Sequence, residues 1–360
     1  MSAAELVARW VRPEIRGLSA YHVPDPGRMI KLDAMENPYA WPETMVEEWL
    51  GLLRQVPLNR YPDPSARRLV EPLRESMAIP EGAGVLLGNG SDEIIQMLAM
   101  AVGGHGRVLL SPEPGFAMYP LIARCTGMDY VGLQLESDFG LSRSVLLDAV
   151  ARHEPALIFI AYPNNPTGNL FDEATLVELL DTARCPVVID EAYAPFAEAS
   201  FMDRLGRYDN LLVMRTVSKM GLAGLRLGLL AGDPAWITEL DKIRLPYNIN
   251  VLTQASAEFA LRHRSVLNEQ TAQIRADRET LFEALQRRPA LTVYPSKANF
   301  LLLRMDPGTA PSVFEGLKAR GVLVKKLHGS HPALADCLRV TVGRPEENQA
   351  FLNALDAVIA

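Results

Sequence analysis

Residues 215–228 read RTVSKMGLAGLRLG and place a hydroxyl, an amine and a guanidinium in one short stretch. An apolar run at 211–214 leads into Thr216, Val217, Ser218 and Lys219. Small residues follow at Gly221, Ala223 and Gly224, and Arg226 comes seven positions after the lysine. Such a pattern predicts a strand that ends in reactive side chains, then a turn tight enough for the backbone to approach a ligand closely. A lysine amine condenses with an aldehyde to an imine, and Ser218 and Arg226 suit phosphate oxygens. Pyridoxal 5'-phosphate carries both an aldehyde and a phosphate. A surface lysine and a structural arginine beside a turn would also fit this stretch taken alone.

Other polar residues fall in comparable places. In parallel α/β sheets ligands bind at the carboxyl ends of strands, and Gly90, Ser91, Asp92, Phe116, Asn165, Asp190, Tyr193, Ser218 and Lys219 all follow predicted strands. An ordinary lysine is protonated at neutral pH, so Lys219 needs burial and a neighbouring cation such as Arg226 to become a nucleophile. Asp190 ends an apolar strand, where an unpaired carboxylate is costly; a protonated pyridine nitrogen would pair with it, as would a cap or an ion pair. Asn165 and Tyr193 can donate hydrogen bonds to a phenolate oxygen, and Phe116 offers a flat face for ring stacking. The phosphate is expected at the start of a helix near Ser91, where the N–H groups of Gly90, Ser91 and Asp92 are free and the helix dipole favours an anion. The side chains of Asp92 and Glu93 are expected to point away from it. GNGSDE by itself also reads as an ordinary strand–turn–helix.

The elements that must position these groups follow from periodicity. Residues 1–16 predict a short amphipathic helix, with Leu6, Val7 and Trp10 on one side and Pro13 at its end or kink. An irregular arm follows, and Asn37-Pro38 and Trp41-Pro42 hold the next segment extended or turned. A helix is expected over 43–55. Tyr61 stands in the rigid stretch RYPDP as a surface anchor or a ligand contact. From about 66 to 245 apolar runs alternate with helical periods, which predicts an α/β unit with a mostly parallel sheet. Its strands are expected at 85–87, 108–110, 130–135, 157–161, 186–189, 211–214 and 225–231. From about 247 the pattern changes to one long helical span over 252–288, strands at 291–294, 299–304, 322–325 and 337–342, and helices at 311–320 and from 346 onward. This second unit is smaller and of α+β character. The division expected is an arm over 1–45, a large α/β domain over 46–250 and a small domain over 251–360.

Composition narrows the function classes. The chain has 360 residues, 48% of them hydrophobic and 22% charged. A net charge of −7 disfavours nucleic acid as the main partner. No apolar run approaches the ~20 residues that span a membrane, and the N-terminus lacks the pattern of a secretory signal. Cys125, Cys185 and Cys337 are far apart and odd in number, which suits unpaired thiols in the cytoplasm. His328 and His331 in HGSH have no third metal ligand nearby, so a solvated loop is expected rather than a metal site.

NNPTG after one strand, DEAY after the next and SK with a later GLR after a third occur in that order. With these motifs the chain resembles the fold-type I pyridoxal-phosphate aminotransferases, the aspartate aminotransferase superfamily, over nearly its whole length. Within it, LDAMENPYAWP, RYPDP, GNGSDE, SKANFLLLR and CLRVTVGRPEEN are similar to the histidinol-phosphate aminotransferase branch. The resemblance implies a large domain with a mostly parallel seven-stranded sheet between helices, a smaller α+β domain, and a homodimer with shared active sites. It implies that Tyr61 reaches the phosphate of the neighbouring subunit's cofactor, and that Arg339 holds substrate carboxylate or phosphate. Tyr21 and Asn37 would come from an arm that covers the substrate. It implies a transamination in histidine biosynthesis between a phosphorylated amino alcohol and 2-oxoglutarate, which becomes glutamate. Three features depart from the pattern. Lys325, followed by Lys326, stands where many relatives have arginine, so the charge stays but the bidentate fork is lost. Phe116 replaces a tyrosine, and the lysine–arginine spacing is one residue shorter. Aromatic amino-acid aminotransferases and threonine-phosphate decarboxylases share the superfamily motifs. A non-enzymatic sensor domain would need an attached DNA-binding domain, for which the residues before 30 leave no room.

Overall fold

The computed structural model describes residues 1–20 and 23–359. Its strands, in chain order, are β1 (Ile30–Leu32), β2 (Gly84–Gly88), β3 (Val108–Glu113), β4 (Asp129–Gln134), β5 (Leu157–Ala161), β6 (Val187–Asp190), β7 (Leu211–Thr216), β8 (Gly228–Gly232), β9 (Leu291–Tyr294), β10 (Phe300–Met305), β11 (Val322–Lys326) and β12 (Cys337–Thr341). Seven of them form a sheet in the order β2-β8-β7-β6-β5-β3-β4. Within it only β8 runs antiparallel to its neighbours. The other five form a second sheet in the order β1-β11-β12-β10-β9. There β1 pairs in parallel with β11, and the remaining pairs are antiparallel.

The central strands of the large sheet are apolar throughout because helices cover both faces. Ile158, Ile160, Val187, Ile189, Leu211 and Val213 face one core. Their alternates Leu157, Phe159, Val188, Leu212 and Met214 face another. This period of two leaves each strand end as the first place where a polar side chain can stand without disturbing either core.

The small sheet packs its apolar face on a third core that holds Leu32, Phe300, Leu301, Val340 and Phe351. The arm therefore contributes one edge strand to this sheet. The change from the first core to the third falls within one helix, Arg264–Gln286: Leu267 belongs to the first and Ile274 to the third.

Besides β1, which forms in an arm expected to be irregular, two elements differ from the expectation. The span 252–288 is not one helix but two, Val251–Arg262 and Arg264–Gln286. His263 between them leaves helical geometry, with its ring packed on Phe259 at 4.4 Å and its Nε2 3.2 Å from Glu48. The strand expected over 225–231 begins only at Gly228. A single turn, Ala223–Leu225, and a left-handed Arg226 (φ 50°) precede it. The helices Met118–Thr126, Arg143–His153, Glu173–Thr182 and Pro234–Asp241 complete the α/β alternation. At the N-terminus the helix Ala3–Trp10 is followed by a short turn of helix, Pro13–Arg16.

Candidate active site

Because β3, β5, β6 and β7 are parallel, their carboxyl ends lie along one edge of the sheet. A cavity of about 360 Å³ opens there. Ser91, Asp92, Phe116, Asn165, Asp190, Tyr193, Ser218, Lys219 and Arg226 line it. The arm closes one side with Ala34, Met35 and Glu36. Thr216 adds a hydroxyl to the lining.

Lys219 stands on the single turn Ser218–Met220 directly after β7. Its Nζ donates to the Ala34 carbonyl at 3.4 Å and lies 5.7 Å from the centre of the Tyr193 ring. Burial, and then the charge of Arg339, lower its ammonium to about 8. The amine is thus partly neutral near physiological pH, as a nucleophile requires. Arg226, named above as the neighbouring cation, also lowers it, but less than Arg339 does.

Asp190 ends β6 and is 4% exposed. Burial pushes its carboxyl up to about 6, while hydrogen bonds from Tyr119 and the Ala192 N–H oppose that rise. Tyr193 is buried, its phenol pushed up by that burial, and its hydroxyl is 3.6 Å from Met35 Sδ. Asn165 Oδ1 accepts from Arg339 Nη1 at 2.6 Å. Arg339 Nη2 donates to the Asp33 carbonyl at 3.0 Å. Arg339 therefore ties β12 of the small sheet to both the arm and the end of β5.

At the other end of the cavity the helix Ser91–Val102 begins at Gly90, whose φ of 83° favours glycine. No side chain caps this N-terminus. Gly228 comes so close that a Cβ there would meet Gly90 C and Ser91 N at 2.7 Å. Ser218 Oγ accepts from Thr216 Oγ1 at 2.8 Å. Arg226 Nη2 donates to Asp92 Oδ2 at 3.3 Å. Here the structure corrects one expectation: Asp92 does not point away but lines the cavity, drawn in by Arg226. Glu93 does turn away, accepting from the Asn89 N–H and from Asn248 Nδ2 at 2.8 Å.

Among the described residues, Gly90 and Arg339 stand beside this cavity without lining it, and Tyr61, Asn37 and Lys325 do not line it either. Tyr61 is 81% exposed and stacks on Tyr247 at 4.5 Å. Asn37 donates to the Met220 carbonyl at 3.3 Å and to Gln270 at 3.1 Å, so it anchors the arm. Lys325 pairs across the strands with Arg339, and opposed residues of antiparallel strands share a face. Tyr21 lies outside the described residues. Sequence reasoning missed Tyr119, Thr216 and the arm residues 34–36. Tyr119 follows Phe116 by three positions, but Phe116 precedes the helix Met118–Thr126, so helical period did not link the two.

The chain belongs to the family described as aminotransferase class I and II, whose sequence model matches residues 27–355. It is 55% identical over 351 residues to the histidinol-phosphate aminotransferase 2 of Nitrosococcus oceani, covering 98% of each chain. It is 54% identical over 362 residues to the histidinol-phosphate aminotransferase 1 of Ralstonia nicotianae, covering 99% of this chain and 96% of that one. Its fold matches a solved histidinol-phosphate aminotransferase from Sinorhizobium meliloti in complex with pyridoxal-5'-phosphate. There the TM-score is 0.87 with 23% identity, covering 96% of each chain.

The family's cofactor is pyridoxal 5'-phosphate, and the residues here fit it. An uncapped helix N-terminus, Ser218 and Arg226 suit its phosphate; a buried carboxylate suits its ring nitrogen; Phe116 offers a ring face; and Lys219 is a softened amine facing the same cavity.

Proposed function

We propose that this transaminase interconverts L-histidinol phosphate and imidazole-acetol phosphate, with 2-oxoglutarate and glutamate as the other pair. The single observation that carries the reading is the pairing of Arg339 with Lys325 across β12 and β11, on the face that reaches Asn165 of the cavity. Arg339 acts on the amine and Lys325 stands opposite it on the next strand, a pair of cations that suits a substrate bringing an anion of its own. The names of relatives about half identical over nearly the whole chain support the same substrate.

When bound, the cofactor supplies an electron sink for the bond broken at the substrate's α carbon. Gly90, Ser91, Ser218 and Arg226 would hold its phosphate, Asp190 its ring nitrogen, and Asn165 and Tyr193 its phenolic oxygen. Lys219 Nζ, lowered to about 8, would take the proton from the substrate's α carbon and is placed to return it. Arg339 fixes the substrate's anionic end with its planar fork, and Lys325 adds charge without a fork. The arm residues 34–36 shield the amine from water.

The reading includes a homodimer. Tyr61 and Tyr247 form an exposed aromatic pair, and Leu58 and Leu245, close to them in sequence, are 70% and 71% exposed. Exposed apolar groups of this kind suit burial by a second copy, whose Tyr61 would complete the phosphate end. The three cysteines are free, which supports a reducing cytoplasm. Among the described residues no helix is long and apolar enough to cross a membrane.

The test is a titration of the holoenzyme's visible absorbance. L-histidinol phosphate should bleach the band and 2-oxoglutarate should restore it. Bleaching by L-phenylalanine alone would move the protein to aromatic amino acids, and CO₂ release from threonine phosphate would move it to decarboxylation.

A further inference from the structure

The carboxylate at the end of β6 has a partner with no role so far. Tyr119 lies in the first turn of the helix Met118–Thr126. Its ring is 1% exposed, stacks on Phe159 at 4.7 Å and meets Phe116 edge-on at 5.4 Å. Its hydroxyl donates to Asp190 Oδ2 at 2.6 Å, and Asp190 Oδ1 accepts from the Ala192 N–H at 3.1 Å. Burial and the nearby Asp190 charge hold the Tyr119 phenol protonated far above neutral pH, so towards this carboxylate it acts only as a donor. A donor clamped between two rings and aimed at one carboxylate oxygen favours the ionised form and fixes the carboxylate plane.

We propose that Tyr119 is a positioning residue for the cofactor: its hydrogen bond keeps Asp190 ionised and turned to receive a protonated ring nitrogen. The proposal rests on pyridoxal 5'-phosphate as the cofactor and not on which amine is the substrate. The groups that face Asp190 make this bond necessary. Asp92, from the helix Ser91–Val102, and Glu191, next in the chain, both push its carboxyl up. Tyr193 brings a neutral phenol, and the cations Lys219 and Arg339 come from the end of β7 and from β12. Without the Tyr119 hydroxyl, Asp190 Oδ2 would lose this hydrogen bond, leaving the Ala192 N–H and those cations to offset burial and two like charges.

The test is Tyr119→Phe, which keeps the ring packing and removes the donor. The dissociation constant of pyridoxal 5'-phosphate, measured at pH 7.5, should weaken about tenfold or more. The melting temperature of the cofactor-free protein gives a readout independent of activity. A carboxyl raised above its unfolded value contributes stability below that value and loses it as pH rises through the folded value. Loss of the donor raises Asp190 further, so the gap between wild type and Tyr119→Phe should widen from pH 4.5 to 7.5. The upper end of this window overlaps the onset of Lys219 titration near 8, which both proteins share and the difference between them removes. In an Asp190→Asn background the Tyr119→Phe effect on cofactor affinity should vanish. Tyr119→His, which returns an N–H to a flat ring, should recover part of the affinity and serves as the second variant should Phe not fold. Unchanged cofactor affinity, a pH-independent gap, or additive effects with Asp190→Asn would overturn the proposal.

Discussion

At the floor of the cavity Asp190 and Tyr119 are 4% and 1% exposed, and each polar atom there has a partner from the same chain. At the rim the side chains of Arg226 and Asp92 are 50% and 46% exposed, and Tyr61 is 81% exposed. The floor is made by strand ends that the sheet's two cores hold in register. The rim is made by a helix start, a left-handed arginine and a tyrosine facing away from its own site. A buried charge that loses its partner keeps the full cost of desolvation. A half-exposed pair exchanges its partner for water at little cost. Floor residues should therefore act strongly and within one chain, and rim residues weakly and, in the homodimer proposed above, across two.

The largest effect expected is from Lys219→Ala. It should remove the visible absorbance of the bound cofactor and lower transamination by about four orders of magnitude. Retained turnover would break the assignment of the amine. Asp190→Asn comes next. It keeps the shape of the floor but not its charge, and it should weaken cofactor binding about a hundredfold or more, read by dialysis against pyridoxal 5'-phosphate.

The rim, and with it the proposed pairing of two copies, is tested by mixing impaired chains. Lys219→Ala and Tyr61→Ala homodimers, dissociated and reassociated together, should recover about a quarter of wild-type sites, because half of the dimers carry one intact site. No recovery would mean that Tyr61 serves its own chain, and full activity of Tyr61→Ala before mixing would mean that it serves none.

The pH dependence of the amine is a finer probe. With Lys219 lowered to about 8, the rate at which the cofactor-free protein captures pyridoxal 5'-phosphate should rise about tenfold per pH unit up to that value and then level. The unfolded chain binds the extra proton between about 8 and 10.5, so the lysine's effect on stability grows more favourable as pH rises across that window. A plateau near the ordinary lysine value would place Lys219 in solvent. The smallest effect expected is from Lys325→Arg, which restores a fork beside Arg339 and should change the KM for histidinol phosphate by about threefold or less. A much larger drop in KM would give Lys325 a direct part in holding the substrate.

Much of this site was legible along the chain. Asp190 and Lys219 each follow an apolar run by one or a few positions, and a parallel sheet brings such positions to one edge whatever the loops between them do. Gly90 before an amphipathic helix likewise marked the helix start that stands at the cavity's other end. The inward turn of Asp92 was not legible, because it depends on Arg226, 134 positions away, arriving within 3.3 Å. The break at His263 was hidden too: its helix pattern continues on both sides, and only contacts with Glu48 and Phe259 oppose it.

The sequence by itself determined the order of strands and helices, the amine, the carboxylate and the arginine, since each is written in local period and residue type. Tertiary structure alone decided which partner each polar group took. Tyr119 became the donor to Asp190 because two helices and a strand close around it. Arg339 became the neighbour of Lys219 because the second sheet folds back onto the first. Local pattern sets which face of an element is apolar; the pairing of buried polar groups depends on distances between elements, and those exist only once the cores have packed.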